Sequence, residues 1–140
     1  MNENVVTIEG NLTRDVELTI TPSGAAVAEF GVAVNRRYKK QGADDFTEEV
    51  SYIDVAAWRQ LGENTAESVS SGDRVIVTGR LEQQRWVDKE TEKNRSKVVL
   101  IADSIAPSLR WATVSITKNP KKGASDGAPG PAGDDSDKPF

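Results

Sequence analysis

Apolar and polar residues alternate in short runs along residues 4–117, a stretch rich in Val, Ile and Thr and divided by turn-forming residues. A period of two places alternate side chains on one face of an extended strand, so each run predicts a half-buried β-strand. In residues 4–12, Val6, Ile8, Gly10 and Leu12 share a face. Residues 15–21 continue extended into the turn Pro22-Ser23-Gly24. Residues 26–35 put Ala28, Phe30, Val32 and Val34 on one side. A polar loop at 39–45 leads to a strand over 48–58, with Ile53, Val55 and Ala57 facing inward. Only residues 59–70 read as a helix: Leu61, Thr65 and Val69 recur at i, i+4 and i+8, and Gly72 stops it. Residues 73–87 form a long strand with Val75, Val77, Gly79 and Leu81 as its core set, and Gly79 marks a candidate bulge. A charged hairpin loop at 88–95 precedes the last main strand, 96–105.

Four or five twisted strands with one short helix between the third and fourth predict an all-β fold. The architecture that places a helix there is the five-stranded Greek-key barrel of the oligonucleotide/oligosaccharide-binding (OB) fold. A β-sandwich is the competing arrangement, in which that helix would be unusual. The strand at 96–105 is apolar on both sides, with Val98, Leu100 and Ala102 on one face and Val99, Ile101 and Ile105 on the other. A strand of this kind is covered on both sides. The second cover is either another subunit or the chain's own tail. In residues 109–117, Trp111, Thr113, Ser115 and Thr117 alternate with Ala112, Val114 and Ile116, which predicts an extra C-terminal strand.

Composition then changes. The last 23 residues, 118–140, hold four Gly and four Pro and cannot bury enough apolar surface to offset their ordering entropy. The expected division is therefore a folded domain at 1–117 and a disordered linker with an acidic tip at 118–140. The tip gathers Asp134, Asp135 and Asp137 beside Pro139 and Phe140. It is either an inert solvated end or a short acidic peptide with a hydrophobic anchor, suited to a basic pocket on a partner.

The 140 residues contain no Cys and no His. That excludes zinc held by thiolate or imidazole, a Cys nucleophile, a Ser-His-Asp triad and a disulfide framework. No apolar run is long enough to span a bilayer, and MNENVVTIEG lacks the basic and apolar regions of a secretory leader, so a cytoplasmic protein is expected. Eighteen basic and 22 acidic residues give a net charge of -4. Nucleic-acid-binding domains are usually basic, yet charges more than about 10 Å apart are largely screened, which leaves room for a local basic groove.

The large aromatics sharpen this point. Tyr52 and Trp58 have the parity opposite to the core set of their strand, and Trp86 shares the parity of Arg74, Thr78, Arg80 and Gln84. Tyr38 stands among Arg36, Arg37, Lys39 and Lys40; Arg59 follows Trp58; Arg85 precedes Trp86, with Arg95 and Lys97 across the next loop. Phe30 has core parity and belongs to packing. Exposed rings beside cations suit single-stranded nucleic acid, whose bases stack on aromatics for about 1–3 kcal/mol each while cations meet the phosphates. Any one of these rings could instead serve the core or a subunit interface. A bulge at Gly79 would also reverse the parity of Trp86.

The stretches VVTIEGNLTRDVEL, AVAEFGVAVNRRY, VSYIDVAAW, SGDRVIVTGRLEQQRWVD and the terminal DDSDKPF together resemble the bacterial single-stranded DNA-binding proteins. The resemblance implies an OB-fold that assembles into homotetramers, a dimer of dimers around which the strand wraps. It implies stacking at Tyr38, Tyr52, Trp58 and Trp86 and a basic groove that includes Arg85 and Arg95. It also implies a tip that binds replication and repair enzymes, and a nucleoid-associated location. Here Lys138 stands before the Pro-Phe pair where the family usually has an apolar residue, and the linker is short. Residues 109–117 look like the extra strand of the actinobacterial branch, which clamps one dimer to another; alternatively they tether the tail to their own subunit. The function expected is sequence-tolerant binding of single-stranded DNA in replication, recombination and repair, without catalysis, metal or cofactor. The alternatives are a protein-interaction module of a replication or repair complex and an RNA-binding OB-fold.

Overall fold

The alternating runs become six strands and one helix: β1 (Val6–Leu12), β2 (Glu17–Ile20), β3 (Ala26–Lys39), β4 (Phe46–Trp58), α1 (Arg59–Ser68), β5 (Arg74–Val87) and β6 (Asn94–Pro107). The structure is a computed structural model and describes residues 3–121. The acidic tip lies outside the described residues. The sheet runs β1-β5-β6-β4-β3-β2, and a further β1–β3 pairing closes it. β1, β5, β6, β4 and β3 form a closed five-stranded barrel with α1 between the third and fourth of them in chain order, which is the expected OB architecture. β2 is the extra strand, following β1 along the same edge of β3. The β4–β6 pairing that completes the circuit is parallel, through Val55 with Leu100 and Ala56 with Ile101.

Closure needs a filled interior. Phe30, Leu100, Val32, Val55, Val75 and Val77 are fully buried, each at a position of inward parity. The helix carries its buried stripe at Gly62 and Thr65, followed by Val69. Gly62 lets α1 approach closely, because a Cβ there would meet the Ala57 carbonyl and lie near Ala28. β4 passes into α1 through Arg59, whose φ of 60° lies in the left-handed region that non-glycine residues rarely adopt.

The bulge lies at Gly79, but its extra residue is on the partner strand. Thr78 pairs with Ser104 and Gly79 with Ala102, leaving Asp103 unpaired on β6. A Cβ on Gly79 would run into the Ile101 carbonyl, so the close approach requires glycine. β5 therefore keeps its parity and so does Trp86. It is β6 that changes phase: Ile105 faces inward against the core instead of sharing a face with Val99 and Ile101.

Three other expectations are corrected. Leu81 keeps inward parity but is 40% exposed, because the β5–β6 hairpin has by then run past the barrel. Val99 and Ile101 are buried within one chain, in an outer cluster with Val27 and Ala56. From the tail, Asn119 Oδ1 accepts from Asn64 Nδ2 on α1 at 2.8 Å. Residues 109–117 alternate like a strand but pair with none in the described chain. A strand needs a neighbour for its backbone groups, and among the described residues this segment has none. Among the described residues, no helix is long and apolar enough to cross a membrane.

What ties the chain down after β6 is a polar cluster. Ser108 is buried, its N–H donates to the Arg74 carbonyl at 2.9 Å and its hydroxyl to Glu9 Oε2 at 2.8 Å. Arg74 Nε donates to the same Glu9 oxygen at 2.7 Å and the guanidinium lies 4.9 Å from the centre of the Trp111 ring. The hydrogen bond from Arg74, then that from Ser108, holds the Glu9 carboxyl below its ordinary pKa of 4.5.

Phe30→Ala should destabilise the fold by about 3–5 kcal/mol, measured by urea unfolding; a loss under 1 kcal/mol would show the barrel to be loosely packed. Because the folded pKa of Glu9 is depressed, its contribution is present above pH 4.5 and is lost as pH falls through the lower folded value. Glu9→Gln should therefore be less stable than wild type at neutral pH, with the two melting temperatures converging in acid. A gap that persists unchanged in acid would contradict the assignment.

Candidate nucleic-acid interface

Residues opposite one another in a ladder point to the same side of the sheet, so the register shows which side chains share a surface. In β3–β4 the inward pairs include Phe30 with Val55 and Val32 with Ile53. The outward pairs are Lys39 with Phe46, Arg37 with Glu48, Asn35 with Val50, Ala33 with Tyr52 and Val27 with Trp58. In β5–β6 the outward pairs are Arg80 with Ile101, Glu82 with Val99, Gln84 with Lys97 and Trp86 with Arg95. The parallel pairing of Ala56 with Ile101 joins the two sets. Tyr52, Trp58 and Trp86 thus stand on one outward surface with Arg37, Lys39, Arg80, Arg95 and Lys97. The three rings are 75%, 42% and 46% exposed.

Two recesses open on this surface. One, of about 420 Å³, is lined by Trp58, Arg59, Arg80, Glu82, Ile101, Ala102 and Asp103. The bulge at Asp103 shapes its rim. The other, of about 530 Å³, lies at the β5–β6 hairpin between Arg85, Trp86, Val87, Asn94, Arg95 and Ser96.

Not every expected residue joins that surface. Tyr38 and Arg36 have the inward parity of Phe30 and Val32, and project beyond the barrel on the other side of the β3–β4 arm. Tyr38 is half-buried; its hydroxyl donates to Glu49 Oε1 at 2.7 Å and its ring lies 4.6 Å from the Arg36 guanidinium. The hydrogen bond to Glu49, reinforced by burial and by the Glu49 charge, pushes the Tyr38 phenol above its ordinary pKa. Arg85 likewise has the parity opposite to Trp86 and donates to Gln83 Oε1 at 2.7 Å. Lys40 lies just past the end of β3.

Sequence reasoning also missed how far the cations are already partnered. Arg36 meets Glu49 at 3.9 Å, Arg37 meets Glu48 at 4.0 Å, Arg80 meets Glu82 at 3.2 Å and Arg95 meets Asp88 at 3.3 Å. Among the described residues, Lys40, Arg59 and Lys97 form no ion pair. These exposed pairs are worth little in water, about 0–1 kcal/mol, and an incoming phosphate competes for the same guanidinium groups. Phe46 was missed as well. It falls between the expected loop at 39–45 and the expected strand at 48–58, but it opens β4 opposite Lys39, 58% exposed, with Arg37 and Lys39 at 4.6 and 5.7 Å from its ring centre. The signal in the sequence was its shared parity with Tyr52, visible only once the hairpin register is known. Among the described residues, no cluster of acidic side chains could hold a metal ion.

The model of the single-strand binding protein family matches residues 3–108. The chain is 44% identical over 122 residues to a single-stranded DNA-binding protein of Mycolicibacterium smegmatis, covering 86% of this chain and 73% of that relative. It is 39% identical over 138 residues to a protein of the same name from Paenarthrobacter nicotinovorans, covering 94% and 81%. It is 44% identical over 133 residues to the one from Mycobacterium tuberculosis, covering 93% and 80%. With the matched span running from the first described residue to Ser108, where the polar cluster ties off β6, the chain belongs to the single-strand binding protein family.

Proposed function

We propose that this protein binds single-stranded DNA with little regard to sequence, protecting and organising exposed strands in replication, recombination and repair. The observation that carries the reading is the shared outward surface of Tyr52, Trp58 and Trp86. These flat rings stand among cations on strands whose other face, within the barrel, is committed to the core. Any base has a π-face, so stacking is sequence-tolerant, and the phosphates find Arg37, Lys39, Arg59, Arg80, Arg95 and Lys97 alongside. Tyr38, Arg36, Lys40 and Arg85 serve the strand from the flanks of the two hairpin arms, at the edge of the surface. The action is binding, with no bond made or broken.

The protein works as a homotetramer, a dimer of dimers. Supporting this are Leu109, Trp111, Val114 and Ile116, which are exposed on an alternating segment that finds no ladder partner among the described residues. Such a segment is suited to a neighbouring subunit's sheet edge. The tip of Asp134, Asp135, Asp137, Pro139 and Phe140 recruits replication and repair enzymes by offering carboxylates and a terminal ring to a basic pocket. The protein acts in the cytoplasm, with the nucleoid.

Titration with oligo-dT should quench the tryptophan fluorescence, and added salt should reverse it as counterions return to the phosphates. A folded protein that shows no quenching at low salt would overturn the reading. Oligo-rU competing as well as oligo-dT would point to RNA instead. Trp58→Ala and Trp86→Ala should each cost about 1–3 kcal/mol of binding; unchanged affinity would assign that ring to packing. Glu49→Gln removes a carboxylate that competes with phosphate for Arg36. It should tighten binding by about 0.2–1 kcal/mol at low salt, the scale of an exposed ion pair; weaker binding would show that Glu49 orients Tyr38 for the strand.

A further inference from the structure

We propose that Phe46 is an additional base-stacking ring, which carries the DNA-binding surface out along the β3–β4 arm; this rests on the single-stranded DNA reading above. Phe46 is the first residue of β4 and pairs with Lys39, the last of β3. A phenyl ring 58% exposed at the far end of a hairpin, away from the core, contributes little to folding. Its surroundings repeat the chemistry of the other rings. The Arg37 guanidinium lies 4.6 Å and the Lys39 ammonium 5.7 Å from its centre, and both project from the neighbouring strand on the same face. Phe46 also has the parity of Val50, Tyr52 and Trp58. Six steps along the strand separate it from Tyr52, which is about 20 Å.

The ligand is therefore a nucleobase of the same bound strand, with its phosphate offered to Arg37 and Lys39. Of these, Arg37 meets Glu48 only at 4.0 Å between groups that are mostly exposed, a contact that a phosphate can replace. The exposed ring is the occupant's platform, and the two cations are its anchor.

The test compares Phe46→Ala, Phe46→Leu and Phe46→Tyr with wild type, using a long oligo-dT at several salt concentrations, with thermal melting and mass in solution measured alongside. Phe46→Ala and Phe46→Leu should each bind about tenfold more weakly, within the range for one lost stack. Phe46→Tyr should bind as wild type does. The salt slope of Phe46→Ala should match wild type, because the cations remain. Wild-type binding with Phe46→Ala unchanged overturns the inference while leaving the function intact. Recovery in Phe46→Leu overturns it too, since apolar bulk without a flat ring would then suffice. So does a loss accompanied by a smaller assembly, which would assign the ring to a subunit contact. A wild-type protein that binds no oligo-dT overturns the functional reading and this inference together.

Discussion

The interior of a five-stranded barrel has room for one set of side chains, and here that set is complete. Phe30, Val32, Val55, Val75, Val77 and Leu100 fill it with no measurable exposure beyond 1%. Because a strand alternates its side chains, everything at the other parity is pushed outward whatever its chemistry. Tyr52, Trp58 and Trp86 face solvent for this reason. For Trp58 the exposure follows directly from the packing of Ala57, and for Tyr52 and Trp86 the same alternation carries the outward face along arms that run past the barrel. A binding surface set on strands in this way holds its geometry without a ligand, so less ordering entropy is lost when a strand docks.

The acidic net charge fits the same surface once the ion pairs are known. Arg36, Arg37, Arg80 and Arg95 each sit beside a carboxylate, which offsets part of the positive charge that these residues and Lys39, Lys40, Arg59 and Lys97 bring to the surface. Exposed pairs of this kind hold weakly and can exchange one anion for another. An arrangement of stacking rings with exchangeable cations binds a polyanion by contact more than by a broad positive field.

Much of this was legible in the alternation itself. The inward set of β3, the parity of Tyr52 and Trp58, the helix after β4 and the glycine at the bulge all followed from spacing. What was not legible depended on pairing between distant residues. The β3–β4 arm continues as a ladder through Arg36–Glu49, Arg37–Glu48, Tyr38–Thr47 and Lys39–Phe46, past the expected end of the first strand at 35 and before the expected start of the next at 48. Those cross-strand pairs stabilise a segment that has little strand character alone, and they place Phe46 opposite Lys39. The bulge was placed at the right glycine, but its extra residue, Asp103, lies on the other strand, so Ile105 and not Trp86 changed face. Residues 109–117 alternate as a strand should, but a period of two predicts a conformation and says nothing about which chain supplies the neighbouring ladder.

The outward rings, and not the filled interior, meet the bound strand. Oxidative footprinting with peptide mass analysis, with and without oligo-dT, addresses this directly. In the free protein Tyr52, Trp58 and Trp86 should be modified while Phe30 is spared, and the oligonucleotide should protect those three rings together. Bound DNA that leaves Tyr52, Trp58 and Trp86 as reactive as before would contradict it.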